Sequence, residues 1–245
     1  MDAETLLVLL FRKVLTLLVA LAGAGHAASY KSPINLAFSP KGDVLYVANH
    51  TADSVSVIDT AKGKVLTEVA VGKSPTDLTV DPKGSFVYVT NTHSHSVCVI
   101  SAKTRKVVAT IPCGFEPRGI ALSPDGARLY TANYISSDIS VIDATARKEL
   151  VRLPVARTPT YIALTPNGKH LLVNHMLSGE PATDPKLTNS VTVIDTAKGK
   201  IIAQLRSPGT MLLGQGIATS ADGKFAFAVH SRPNFNVTPS QLMQG

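Results

Sequence analysis

The segment Ser39-Pro40-Lys41-Gly42 returns as Asp81-Pro82-Lys83-Gly84, Ser123-Pro124-Asp125-Gly126 and Thr165-Pro166-Asn167-Gly168, each copy 42 residues after the last. A fifth copy, Ser220-Ala221-Asp222-Gly223, follows Thr165 after 55 residues, one repeat plus an insertion of 13. Each copy is a tight turn that leads into an alternating apolar stretch, so the recurring piece is a hairpin. The period constrains the fold, and it directs the search for function to the places where the repeat is broken.

The first unit shows the pattern in full. Ile34 to Phe38 is a short apolar strand ended by the turn, and Val44-Leu45-Tyr46-Val47-Ala48-Asn49 is a nearly continuous apolar run, as expected of a strand covered on both faces. Ser54 to Asp59 alternates with period two, Thr60-Ala61-Lys62-Gly63-Lys64 turns the chain, and Val65 to Val71 closes the unit. Pro33, Pro75, Pro117 and Pro159 open successive units. Repeats of roughly 40–45 residues with several short strands each are the signature of propeller blades. The expected fold is therefore all-β, a β-propeller of four-stranded antiparallel blades, with about four and a half blades in this chain. The repeats are read as 32–73, 74–115, 116–157, 158–212 and a partial 213–245.

Residues 1–27 read as a secretory signal peptide. Arg12-Lys13 carries the positive charge, Val14 to Ala22 is apolar apart from Thr16, and Gly23-Ala24-Gly25-His26-Ala27-Ala28 is a small-residue exit. Cleavage is expected after Ala27, with Ala28 as the alternative. An uncleaved anchor is the competing reading, although the run after the charges is shorter than the roughly 20 residues a span needs. A periplasmic or extracellular protein follows from cleavage, with no membrane association afterwards.

The formal net charge is +7, and the leader carries as many acidic as basic residues. The remaining Lys and Arg are scattered through turns without interleaved aromatics, which argues against a nucleic-acid surface. Two cysteines are present, Cys98 and Cys113. With Cys98 expected to face residue 109 across a hairpin, Cys113 is too far along the ladder for a disulfide, and two buried thiols are expected.

Tyr88-Val89-Thr90-Asn91, Ser123-Pro124-Asp125-Gly126 and Val57-Ile58-Asp59-Thr60, at these spacings, resemble the YVTN-type β-propeller repeat (YncE-like) of exported bacterial and archaeal proteins. The resemblance covers nearly all of residues 32–245 and implies a seven-bladed ring of which this chain supplies part. Proteins with such repeats serve binding, scaffold and redox roles, so the resemblance speaks to fold more than to function.

Two departures from the repeat carry information. Asn49, Asn91 and Asn133 end their second strands seven residues after the turn glycine, and His175 and His230 replace them in register. Histidines at equivalent sites of adjacent blades are candidates to meet a ligand, haem edge or metal; the alternative is a polar side chain hydrogen-bonding a connecting loop. The 13-residue insertion is read as 176–188, lengthening the loop after His175. The stretch Ser231 to Gly245, with Arg232, is not propeller-like. Asn174-His175, Pro181-Ala182-Thr183-Asp184, Val229-His230 and Arg232 through Leu242 are similar to a subgroup of YVTN propellers fused to a C-terminal di-haem, cytochrome c peroxidase-like domain.

No Cys-x-x-Cys-His is present, so no cofactor is expected in this chain; the resemblance to haem-fused propellers implies that any haem c would belong to a domain beyond residue 245. A reading frame that continues past Gly245 is the corresponding expectation, because the fifth blade is only half made. His93 and His95 alternate along one loop as a candidate metal pair or as exposed loop residues. Asp59, Asp143 and Asp195 recur beside a turn as structural turn-formers. No catalytic residue, metal ligand set or phosphate loop is identified. The leading expectation is an exported scaffold or binding domain. The alternative is the propeller portion of a periplasmic electron-transfer oxidoreductase whose partner is a protein or that haem domain; a lactonase-like hydrolase is a third possibility.

Overall fold

The structure, a computed structural model, describes residues 31–177, 188–208 and 216–228. Four antiparallel sheets of four strands follow one another along the chain, each in simple meander order. Blade 1 contains β1 (Pro33–Phe38), β2 (Val44–Asn49), β3 (Ser54–Asp59) and β4 (Lys64–Ala70). Blade 2 contains β5 (Pro75–Val80), β6 (Phe86–Asn91), β7 (Ser96–Ser101) and β8 (Lys106–Pro112). Blade 3 contains β9 (Pro117–Leu122), β10 (Arg128–Asn133), β11 (Asp138–Asp143) and β12 (Lys148–Pro154). Blade 4 contains β13 (Pro159–Leu164), β14 (His170–His175), β15 (Thr188–Asp195) and β16 (Lys200–Pro208). β17 (Ile217–Thr219) and β18 (Ala226–Ala228) pair as a fifth, two-stranded sheet. Among the described residues the one helical segment is a 3-10 turn at Thr92–Ser94.

Local chemistry explains the meander. In each first turn a glycine at positive φ (Gly42, Gly84, Gly126, Gly168, Gly223) donates its N–H to the carbonyl three residues back, at 2.7–2.9 Å. At the outer turns Asp59 accepts from the Lys62 N–H, Asp143 from Thr145 and Ala146, and Asp195 from Ala197 and Lys198, so these carboxylates are turn-formers as expected. Hydrogen bonds from those backbone N–H groups hold the carboxyl groups of Asp59, Asp143 and Asp195 below the usual carboxylate range.

The first strands β1, β5, β9, β13 and β17 pack on one another in succession, whereas the fourth strands scarcely meet, so the blades fan out from an inner edge. Alternate residues of each strand serve opposite neighbours. Val87 and Val89 join Tyr46, Val55 and Val57 between blades 1 and 2, while Tyr88 joins Leu129 and Ile142 between blades 2 and 3. A third cluster with Tyr130, Ile139, Leu171 and Val173 fills the next interface. Each such buried aliphatic is worth roughly 1.5–3 kcal/mol, and none of it is gained by a blade standing alone. The same alternation separates the cysteines: Cys98 lies between blades 1 and 2 and Cys113 between blades 2 and 3, both buried and free.

Two expectations need correction. Cys98 faces Thr110, not residue 109, because the fourth strand bulges at Val108 between Ala109 and Val107. The bulge recurs at Leu66, Leu150 and Ile202, bending every outer edge strand at one place. The insertion is also divided. Ser190 faces Arg206 as Asp138 faces Pro154, so only ten of the 13 extra residues precede the third strand of blade 4. The remaining three follow Arg206, and the added pairs Thr188 with Pro208 and Asn189 with Ser207 lengthen the outer hairpin. Counting between turn glycines sees only the total shift.

The inner edge is tight at Gly119, where an added Cβ would stand 2.5 Å from the Thr160 carbonyl oxygen and 3.0 Å from the Tyr161 Cα. Both are backbone atoms and cannot rotate away. Gly119→Ala is expected to lower the unfolding free energy by about 1–3 kcal/mol, the usual range for overpacking, as measured by denaturant titration.

Candidate functional site

The residues that end the second strands line up as the repeat predicts, at the termini of β2, β6, β10 and β14. All four are buried: Asn49, Asn91, Asn133 and His175. They are hydrogen-bond posts inside each blade. Asn49 Nδ2 donates to Ser56 Oγ at 2.8 Å and Ser54 Oγ at 3.2 Å, and lies 3.3 Å from Glu68 Oε2. Asn133 Nδ2 donates to Asp138 Oδ1 at 2.6 Å and Ser140 Oγ at 2.7 Å. Asn91 Nδ2 reaches Cys98 Sγ at 3.0 Å.

The connection from the preceding blade lies directly against these posts. A Cβ added to Gly72 would stand 2.8 Å from Asn91, and one added to Gly114 would stand 2.3 Å from Asn133 Nδ2. In blade 4 the corresponding residue is Ala156, and there the asparagine gives way to His175. The imidazole reaches instead to the next carbonyl: Nδ1–H donates to Arg157 O at 3.1 Å, and Nε2 accepts from Thr192 Oγ1 at 2.8 Å. With both ring nitrogens engaged, His175 has none free for a metal. Burial lowers its pKa to about 4, so the ring is neutral at physiological pH. His230 and Arg232 lie outside the described residues, as do 178–187 of the insertion.

His93 and His95 are held by different groups. His93 Nδ1 pairs with Ser74 Oγ at 2.8 Å, whereas His95 Nδ1 accepts from the Glu116 N–H at 3.1 Å and its ring stands edge-on to Phe115 at 5.0 Å. Among the described residues, no three of His, Cys, Asp and Glu come together in a metal-holding group.

The second-strand ends and the connections between blades share one face of the arc. Blade 3 presents two exposed apolar side chains there, Phe115 (56% exposed) and Ile135 (59%), tied together by the Ile135 N–H to Phe115 O bond at 3.3 Å. Beside them the Arg118 guanidinium stacks 3.6 Å from the centre of the Tyr134 ring, and the Tyr134 hydroxyl donates to Met176 Sδ at 3.3 Å. Met176 leads into the lengthened loop.

Asp77, on the inner strand of blade 2, was not among the residues singled out from sequence. Its Oδ1 accepts from Asn35 Nδ2 at 2.6 Å and from the Leu78 N–H at 2.8 Å, and its Oδ2 accepts from the Ile120 N–H at 3.0 Å. One carboxyl thus joins the inner strands of three successive blades. Burial pushes its pKa up to about 7, against the lowering effect of the Ile120 and Leu78 N–H groups. Tyr161, raised chiefly by its own burial, feels both the Asp77 carboxyl and the Arg118 cation. The sequence signal was a charge inside an inner strand where the other blades carry Asn35, Gly119 and Tyr161.

A family model described as "Lactonase, 7-bladed beta-propeller" matches residues 13–107. The chain is an arc of a β-propeller. That match begins inside the segment read as a leader, which lies outside the described residues. Among solved structures, hydrazine synthase from Kuenenia stuttgartiensis is similar, with a TM-score of 0.79 and 27% sequence identity. The similarity covers 89% of this chain and 60% of that chain, so this chain spans less than two thirds of that protein's length. No curated protein matches. No helix among the described residues is long and apolar enough to cross a membrane.

The His175 geometry has a definite pH consequence. Its folded pKa is depressed from 6.5 to about 4, so its contribution to stability is present above pH 6.5 and is lost as pH falls toward 4. The full loss is about 3 kcal/mol. Asp77 acts in the opposite sense, because its raised pKa stabilises the fold as pH falls below 7. His175→Asn isolates the first effect because Asp77 is common to both proteins. The variant is expected to lose less stability than wild type between pH 7 and pH 4 in denaturant titrations; parallel curves would show that His175 is not buried neutral.

Proposed function

We propose that this chain is an exported β-propeller that binds a protein partner on the face carrying the inter-blade connections and the second-strand ends. The observation that carries the reading is the exposed Phe115–Ile135 pair beside the Arg118–Tyr134–Met176 group, at the foot of the lengthened loop. Large exposed aliphatic and aromatic side chains rimmed by polar groups are the usual mark of a contact surface. In this reading Asn49, Asn91, Asn133 and His175 act beneath the surface by fixing the loops that meet the partner, and His230 and Arg232 are proposed as further contact residues.

The partner class follows from two similarities. One is the resemblance of Asn174-His175 and the stretch 229–242 to propellers joined to haem domains. The other is the likeness to an enzyme named hydrazine synthase. The chain is accordingly assigned as the propeller portion of a periplasmic electron-transfer assembly, with covalent haem supplied by a further domain or subunit. The family-model match supports a second reading, a lactonase-like hydrolase, for which Asp77 is, among the described residues, the one inner-edge carboxyl with a pKa near neutrality. Its oxygens are already engaged by three donors, which weighs against a role as general base.

One experiment separates the two. Tagged wild-type protein, produced in its native host, is expected to co-purify with a polypeptide that retains haem after denaturation. Phe115→Glu with Ile135→Glu is expected to abolish that association while leaving the thermal midpoint within a few degrees of wild type, since both residues are exposed. Turnover of simple lactones by the purified chain, lost in Asp77→Asn, would instead establish the hydrolase.

A further inference from the structure

Each blade carries a column of polar residues on the face turned toward the preceding connection, and comparing the columns reveals a gap. In blade 1 the column is Asn49, Ser54, Ser56 and Glu68. The Glu68 carboxylate takes hydrogen bonds from Ser56 Oγ at 2.8 Å and Ser54 Oγ at 3.2 Å, and pairs with Lys31 Nζ at 2.7 Å. In blade 3 a different residue supplies the carboxylate, Asp138, which accepts from Asn133 Nδ2 and from Ser136 Oγ at 3.1 Å. Blade 2 keeps the amide, the hydroxyl and a thiol as Asn91, Ser96 and Cys98, but Thr110 stands where Glu68 does and Ser96 where Asp138 does. It also keeps the cation: Lys73 is the repeat equivalent of Lys31, and it pairs with Asp53 at 2.6 Å instead.

The gap is physical. A cavity of about 420 Å³ opens between the outer end of blade 1 and blade 2, with Gly72, Ser96, Cys98 and Thr110 in its lining. One water needs only about 30 Å³. The Ser96 hydroxyl, on a residue 4% exposed, has no hydrogen-bond partner, and neither does Asn91 Oδ1 on a fully buried residue. Unpartnered buried polar atoms are costly and rare, so a ligand that satisfies the hydroxyl is favoured. The rest of the lining is aliphatic at Ala70, Val71, Val107 and Pro112 and polar at Ser94 and His95.

The geometry points to a binding site for a short aliphatic monocarboxylate between blades 1 and 2. The carboxylate takes the place that Glu68 and Asp138 hold in the neighbouring blades, accepting from Thr110 Oγ1–H and, once its side chain turns out toward the cavity, from Ser96 Oγ–H, which is shielded in this structure. Lys73 moves from Asp53 to the rim of the site, and the alkyl chain lies along Val71 and Val107. The site adjoins the Phe115–Ile135 patch through His95, which lines the cavity and stands edge-on to Phe115, but it does not depend on the partner assigned above.

The test is a titration of the isotopically labelled full chain with sodium butyrate, followed by amide chemical shifts against sodium chloride and against butyramide. Saturable shifts confined to residues around Gly72, Ser96, Cys98 and Thr110, present with butyrate and absent with the other two, are expected. Lys73→Ala should weaken binding at least several-fold. Thr110→Glu, which restores the carboxylate of blade 1, should abolish the response and raise the thermal midpoint. Shifts with butyrate that are absent, non-saturable or spread over the surface would overturn the proposal on the wild-type protein alone, whether or not Thr110→Glu folds. Equal shifts with butyramide would show that the site recognises shape and not the carboxylate.

Discussion

The inner edge of the arc depends on one carboxyl group. Asp77 accepts hydrogen bonds from Asn35 of blade 1, from its own strand and from the Ile120 amide of blade 3. Blades in such a fold share no continuous sheet, so their relative placement rests on apolar contact between faces and on the few polar links that cross from one blade to the next. Hydrophobic contact is strong but does not by itself set a unique register, whereas a carboxyl with three directed donors does. Related links continue along the inner edge: Thr90 Oγ1 reaches the Arg118 carbonyl at 2.8 Å, and Thr219 Oγ1 reaches the Leu164 carbonyl at 2.9 Å. The close approach at Gly119 is a consequence of the same tight edge.

The face that bears the candidate site inherits this placement. The second-strand ends lie under the inter-blade connections, and the posts at 91, 133 and 175 match the residues that cross them. Glycine at 72 and 114 allows the short amide of Asn91 or Asn133 to sit beneath the backbone, and Ala156 accompanies the longer reach of His175 to Arg157 O. The exposed groups above these posts, Phe115, Ile135 and the Arg118–Tyr134 stack, are therefore held on a rigid base. That arrangement suits recognition of a preformed surface, because little ordering entropy is lost on contact.

Much of the architecture was legible in the chain because a fixed period makes every unit confirm the others. The strands, the glycine turns, the turn-forming aspartates and the alignment of Asn49, Asn91, Asn133 and His175 all follow from counting. Counting failed where residues are added without changing the total, which is why the Val108 bulge and the division of the insertion around Arg206 were missed. It also could not tell a buried post from an exposed ligand. His175 stood out as a departure from the pattern, but a substitution that pairs with Ala156 marks packing as readily as binding. Asp77 and the unfilled column at Ser96 and Cys98 depend on what lies across a blade interface, about 42 residues away in sequence, where no local pattern reports it.

The most direct test of this account is hydrogen exchange at pH 8, where the Asp77 carboxyl is ionised, comparing wild type with Asp77→Asn. The substituted amide turns a donor toward either Asn35 or the Ile120 N–H. If Asp77 fastens three blades, protection should fall together in residues 33–38, 75–80 and 117–122, while 170–175 keep their wild-type exchange. Loss of protection confined to 75–80 would contradict it, and would leave apolar packing alone to hold the blades in place.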